Sequence, residues 1–68
     1  MDSLGKRLKY IRKQNSLTQI EFAQQIGVSQ GTLSDLEKDK CKPSVDTLIS
    51  LRVNLDVDLN WLLTGEPS

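Results

Sequence analysis

The sequence predicts an all-α fold, a compact five-helix bundle built around a helix-turn-helix, and three observations predict it. Apolar residues recur at helical spacing throughout, and no segment alternates as a half-buried strand does. Residues that cap helices stand just ahead of the later apolar runs, at Thr18, Ser29, Ser44 and Asp58. Ala23, Gly27, Leu33 and Leu36 also fall at the intervals that two helices joined by a short turn require.

The first helix is expected from about Ser3 to Asn15, with Leu4, Leu8 and Ile11 on one face. Thr18 and Glu21 form a capping box for the second, and Leu17 is placed to staple onto Phe22 across the cap. Phe22, Ala23 and Ile26 point inward, and Gly27 ends the helix because it is free to turn left-handed. Ser29 caps the third helix, Val28 and Leu33 repeat the staple, and Leu33 and Leu36 form its buried stripe. Lys38 to Pro43 is a charged loop closed by a proline that a helix interior would not tolerate. Ser44 caps the fourth helix, whose inward residues are expected to be Val45, Leu48, Leu51 and Leu55. Asp58 caps a short last helix, Leu59 to about Leu63, stopped by Gly65 with Pro67 beyond. Trp61, Leu62 and Leu63 belong to the core or to an interface. Linkers are short and no repeat or second domain is visible, so residues 1–68 read as one domain.

Residues 18–38 carry the most specific pattern. Helices crossing closely need a small residue where they touch, which Ala23 supplies. The turn needs a residue at ease with positive φ, which Gly27 supplies. The second helix needs apolar residues facing back, which Leu33 and Leu36 supply. Any one match is weak, and their common register is what specifies a helix-turn-helix.

The bulk numbers narrow the chemistry. A chain of 68 residues buries only about 60% of the surface that its unfolded form exposes, which leaves little room for a catalytic cleft. Cys41 has no internal partner and there is no histidine, so neither a disulfide nor a closed zinc site is expected. No enzyme, metal or cofactor is expected. No apolar run approaches the roughly 20 residues that span a bilayer, and the N-terminus lacks a signal peptide's apolar stretch, so a cytoplasmic protein is expected. Net charge is zero, which argues against a nucleic-acid partner until its distribution is considered. Residues 1–42 hold eight basic side chains against five acidic, and residues 43–68 hold one against four. The basic ones group as Lys6, Arg7, Lys9, Arg12 and Lys13, then Lys38, Lys40 and Lys42. On charge alone these are equally well read as solvated faces or as a phosphate-facing surface.

The stretch LTQIEFAQQIGVSQGTLSDLE resembles the helix-turn-helix of the phage repressor and Cro family, whose cellular members are Xre-type regulators. The likeness extends upstream through GKRLKYIRKQNSLTQ and downstream to LNWLLTGE, roughly Leu4 to Glu66. It implies a lambda-repressor-like domain of five helices that binds a double-stranded DNA operator as a homodimer, with the third helix in the major groove. By position, Gln19 is implied to sit against a phosphate at a helix N-terminus and to brace Gln30. Gln30 is implied to read adenine through its amide. Thr32 and Ser34 offer hydroxyls to phosphate or base edges, and Lys38, Lys40 and Lys42 contact the DNA backbone. Arg12 and Glu37 match a partly buried salt bridge that ties the first helix to the end of the third. Gly31 lets the helix end approach DNA closely, and Asp35 suits cytosine N4 but repels phosphate.

Departures from the family pattern are local. The usual Glu-Asn-Gly after the third helix is here Glu37-Lys38-Asp39, with Asp39 taking the left-handed position. Arg52 replaces a small residue, either at the core's edge with its charge in water or paired with an unidentified acid. Ile20 is apolar where the pattern is polar, and Cys41 reads as an incidental loop thiol. Tyr10 is expected on a partly exposed flank, while Lys6, Arg7, Lys9 and Lys13 solvate the first helix or, for Lys6 and Arg7, touch a flanking phosphate. The same domain serves antitoxins, with an added protein partner, and controllers of restriction–modification systems. A helix-turn-helix used only for protein contacts is the alternative supported by the zero net charge, Asp35 and Ile20.

Overall fold

The computed structural model describes residues 3–67 and contains five helices there: α1 Leu4–Gln14, α2 Gln19–Ile26, α3 Gln30–Glu37, α4 Val45–Leu55 and α5 Leu59–Thr64. No described helix is long and apolar enough to cross a membrane. The starts follow from local hydrogen bonding, since helix termini leave N–H groups that a side chain must satisfy. Thr18 accepts from the Glu21 N–H while the Glu21 carboxylate accepts from the Thr18 N–H, which completes the capping box. These two Thr18 bonds hold the Glu21 carboxyl below its usual pKa. Ser3, Ser29, Ser44 and Asp58 cap the other four helices, each side chain accepting the N–H three residues on.

α1 packs on α3 and α5, α2 on α3 and α4, and α4 on α5. Leu8, Phe22, Ile26, Leu33, Leu36, Leu51 and Leu62 are the fully buried side chains at the centre. Leu17 and Val28, the expected staples, lie partly buried against that core with Leu4, Leu48, Leu55 and Trp61. Gly27 ends α2 at φ 74° and ψ 28°, so Val28 and Ser29 turn directly into α3.

Two expectations are corrected. Val45 was expected inward but is 70% exposed, because α4 turns Thr47, Leu48, Leu51 and Leu55 to the core. Val45, Ile49 and Val53 instead follow one another at four-residue spacing along its outer side. Of the core or interface position expected for Leu63, the exposed side chain leaves only the interface. Its neighbour Leu62 takes the inward position on a helix of only six residues. Arg7 neither solvates α1 nor faces outward. It is 8% exposed, and its Nε donates to the Leu62 carbonyl at 2.8 Å, joining α1 to the last turn of α5. Arg52 is exposed and pairs with Asp56, the acid left unidentified above, one turn on at 2.6 Å. Tyr10 meets Trp61 edge-on with ring centroids 5.9 Å apart, a favoured aromatic geometry.

Gly5 is where α1 comes closest to the end of α3. A β-carbon there would stand 2.5 Å from the Leu36 carbonyl oxygen, 2.7 Å from that of Glu37 and 2.8 Å from Asp39 Oδ1. Two of these atoms are backbone, so the contact cannot relax by rotating a side chain. Gly5→Ala is therefore expected to destabilise the fold by about 1–3 kcal/mol, as overpacking does. Urea unfolding of the two proteins measures this.

Candidate nucleic-acid interface

The first turns of α2 and α3 lie side by side and present Gln19 and Gln30 together. The Thr18 capping box occupies the Thr18 and Glu21 N–H groups. The first-turn N–H groups of Gln19 and Ile20 are thus left for an outside acceptor. Gln19 is half-buried, and Gln30 is exposed at the start of α3. Gln30 Nε2 donates to Gln19 Oε1 at 3.4 Å, and Gln19 Nε2 donates to Glu37 Oε1 at 3.1 Å.

Glu37 also receives Arg12, whose Nε donates to Oε2 at 2.8 Å and whose Nη2 donates to Oε1 at 3.2 Å. Arg12 Nη1 donates to the Leu17 carbonyl at 3.1 Å. The two side chains are 12% and 4% exposed. The structure thus brings Arg12, Glu37, Gln19 and Gln30 into one hydrogen-bonded chain running from the protein's interior to its surface. A forked guanidinium–carboxylate contact is the strong form of such a pair, with direction as well as energy.

The other site residues do not join this chain. Ser29 caps the Thr32 N–H at 3.1 Å, and its hydroxyl donates to Thr32 Oγ1 at 3.0 Å, so Thr32 is held by the cap while remaining exposed. An added β-carbon at Gly31 would meet nothing closer than Ser29 Oγ at 4.0 Å, so packing does not require the glycine. Ser34 is half-buried and Asp35 is exposed. The Asp35 carbonyl accepts the Lys38 and Lys40 N–H groups at 3.2 and 2.9 Å, folding the start of the loop back onto α3. Lys38, Lys40 and Lys42 stand exposed on that loop beside the exposed thiol of Cys41. Ile20 is exposed next to Gln19.

Asp39 is the loop residue that sequence reasoning undervalued. Its φ of 61° is the left-handed conformation expected in place of glycine. Its carboxylate also accepts the Gly5 N–H at 2.8 Å, so it caps α1 from another part of the chain. Hydrogen bonds from the Ser3 side chain and then Gly5, with a smaller contribution from the charges of Lys42 and Lys6, hold the Asp39 pKa below its ordinary value. Only the absence of a side chain at Gly5 was there to signal the contact, and a glycine inside a helix has no such meaning until its neighbour is known.

A sequence profile of the helix-turn-helix family matches residues 8–62. The chain is 33% identical over 64 residues to the immunity repressor protein of Bacillus phage phi105, covering 94% of this chain and 44% of the relative. It is 39% identical over 61 residues to the HTH-type transcriptional regulator ImmR of Bacillus subtilis, covering 90% of this chain and 48% of the relative. The chain therefore spans about half the length of these curated relatives. Among solved structures, the P22 c2 repressor in complex with a synthetic operator superposes with a TM-score of 0.87 at 26% identity, over 97% of this chain and 100% of that one.

Two outcomes follow from the geometry. Glu37→Ala strands a largely buried guanidinium and is expected to cost about 3–5 kcal/mol, whereas replacing Arg12 and Glu37 together by Met and Leu costs much less. A double-mutant cycle by urea unfolding separates the two. Because Asp39's pKa is lowered in the fold, its contribution is present above the ordinary carboxylate pKa and is lost as pH falls through the lowered one. Asp39→Asn should therefore flatten the acid limb of a stability–pH profile measured by thermal melts.

Proposed function

Because the chain belongs to the helix-turn-helix family, we propose that it is a sequence-specific regulator of transcription that binds double-stranded DNA, acting as a repressor of the phage immunity type. It reads an operator as a homodimer with α3 in the major groove. The observation that carries this reading is the pairing of the Gln19 and Gln30 amides at the adjoining starts of α2 and α3. A helix N-terminus with unspent N–H groups attracts phosphate, and an amide projecting from the neighbouring helix can pair bidentately with adenine. The phage phi105 relative is named an immunity repressor, and the P22 c2 repressor structure holds an operator, which supports the same assignment here.

The roles then divide by chemistry. Gln19 and the first turn of α2 dock a phosphate and set the register. Gln30 reads a base edge. Gly31 leaves room for close approach, and Thr32 and Ser34 supply hydroxyls near the backbone. Lys38, Lys40 and Lys42 add affinity without sequence preference, by displacing counterions from phosphates. Asp35 adds no affinity and instead rejects sites that lack a cytosine amino group opposite it.

Selection of bound sites from a random double-stranded library tests binding, preference and half-site spacing together. Two half-sites about 34 Å apart are expected. Gln30→Ala should weaken the selected site by about 1–3 kcal/mol and relax preference at one base pair, and equal loss on selected and random DNA would overturn its role. Lys40→Ala should lower the salt dependence and leave the preference intact. If Asp35→Asn tightens selected and random DNA alike, Asp35 is a plain repulsive charge.

A further inference from the structure

We infer that Glu37 is a positioning residue for base readout: through Gln19 it fixes which hydrogen-bonding groups of the Gln30 amide are left for the base, and so favours adenine over guanine. The inference rests on the DNA-reading role given above and goes beyond the structural role of the Arg12–Glu37 pair.

A glutamine amide has two ends of nearly equal size, one donor and one acceptor, and only its hydrogen-bond partners decide which way it points. Glu37 is an ion-paired carboxylate and can only accept. At 3.1 Å from Glu37 Oε1, Gln19 must present its nitrogen, because its oxygen there would face a negatively charged oxygen with no proton between them. The oxygen of Gln19 consequently points out towards Gln30, which must answer with its own nitrogen. One Gln30 N–H is thereby committed to Gln19. The second N–H and the Oε1 acceptor remain for the groove.

That remaining pair, one donor and one acceptor in fixed order, matches adenine, which offers the N7 acceptor and the N6 amino donor. Guanine offers two acceptors, N7 and O6. It requires both Gln30 N–H groups, and one is already spent. The polarity set at Glu37 is thus carried over two amides to the base edge.

Glu37→Gln should reverse the chain instead of merely loosening it. The shorter Arg12 bond, from Nε at 2.8 Å, would claim the new amide's oxygen at the Oε2 position, turning its nitrogen towards Gln19 at the Oε1 position and giving up the longer 3.2 Å contact from Nη2. Gln19 would then flip, offering its nitrogen to Gln30 Oε1 and releasing both Gln30 N–H groups for guanine.

The test uses a site selected from random double-stranded DNA and its variant with G·C in place of A·T at the base pair where Gln30→Ala relaxes preference. The readout is the ratio of the two affinities, which a purely structural loss leaves unchanged. Wild type should favour A·T by roughly tenfold or more, and Glu37→Gln should bring the ratio to near unity or invert it. Gln19→Met, which leaves the ion pair in place should Glu37→Gln not fold, should also collapse the ratio. The double variant should lose no more than either single one. In the free protein, the Gln19 Nε2 protons should exchange with water more slowly than those of exposed Gln24, and should lose that protection in Glu37→Gln. A ratio retained in either single variant, additive losses in the double, or unprotected Gln19 protons would overturn the inference. If the library yields no preferred sequence, the DNA-reading premise itself fails. If it yields one while Glu37→Gln keeps the ratio, only the relay fails.

Discussion

The Arg12 guanidinium is the point on which the candidate interface depends. From the middle of α1 it reaches Glu37 at the end of α3 and the Leu17 carbonyl in the turn before α2, and Glu37 in turn holds Gln19. Three helices and a turn are thus referred to one planar, always-charged group. Burying such a pair in a small domain is costly unless its hydrogen bonds are satisfied, and among the described residues no buried side-chain polar atom lacks a partner. Ten hydrophobic residues make up the buried core among the described residues. A core that small supplies cohesion but little orientation, since apolar contacts have no direction. The polar chain supplies the orientation, and it ends at the residue proposed to read a base.

The same end of α3 is sealed against α1 by backbone contact. Gly5 admits the Leu36 and Glu37 carbonyls to distances that no side chain would allow, and Asp39 closes over the first turn of α1. The loop bearing Lys38, Lys40 and Lys42 is therefore hung between two fixed points, the Asp35 carbonyl and the α1 N-terminus. Its lysines remain exposed to water, as the counterion-exchanging role proposed for them requires.

What could be read from the sequence was whatever short-range rules govern. Thr18 with Glu21, Gly27, Ser29, Ser44 and Asp58 each act within a turn of the chain, and all five lie where their local chemistry puts them. Val45 was misassigned because α4 carries apolar residues on both faces, and periodicity alone cannot tell which stripe a neighbour covers. Arg7 was misread because a charged residue argues for water, while its partner is a carbonyl 55 residues away. The left-handed Asp56 that ends α4 carries none of the usual glycine signal. At the candidate interface, the resemblance pointed to Gln19 and Gln30, and the structure brings their side chains within hydrogen-bonding distance. The direction of their amides could not be read from the sequence, because it originates in a carboxylate brought in from the far end of α3.

This arrangement gives α3 two unlike ends. Its C-terminal end is immobilised by Leu36 in the core, Glu37 in the ion pair and Asp39 on α1. Its N-terminal end has a capping serine, an unencumbered glycine and a glutamine whose one bond to Gln19 is long at 3.4 Å. In the proposed role, a reading surface with few side chains cannot gain specificity by adding contacts, since Gly31 would contribute none and phosphate would repel Asp35. Each contact must therefore discriminate more, and a single amide discriminates only as well as its polarity is fixed. In that role, anchoring the far end of the helix and relaying its charge to the near end would serve this while the tip stays open enough to fit a groove. The stability of the Arg12–Glu37 pair and the selectivity of Gln30 are on this view one property, set by how firmly the same carboxylate is held.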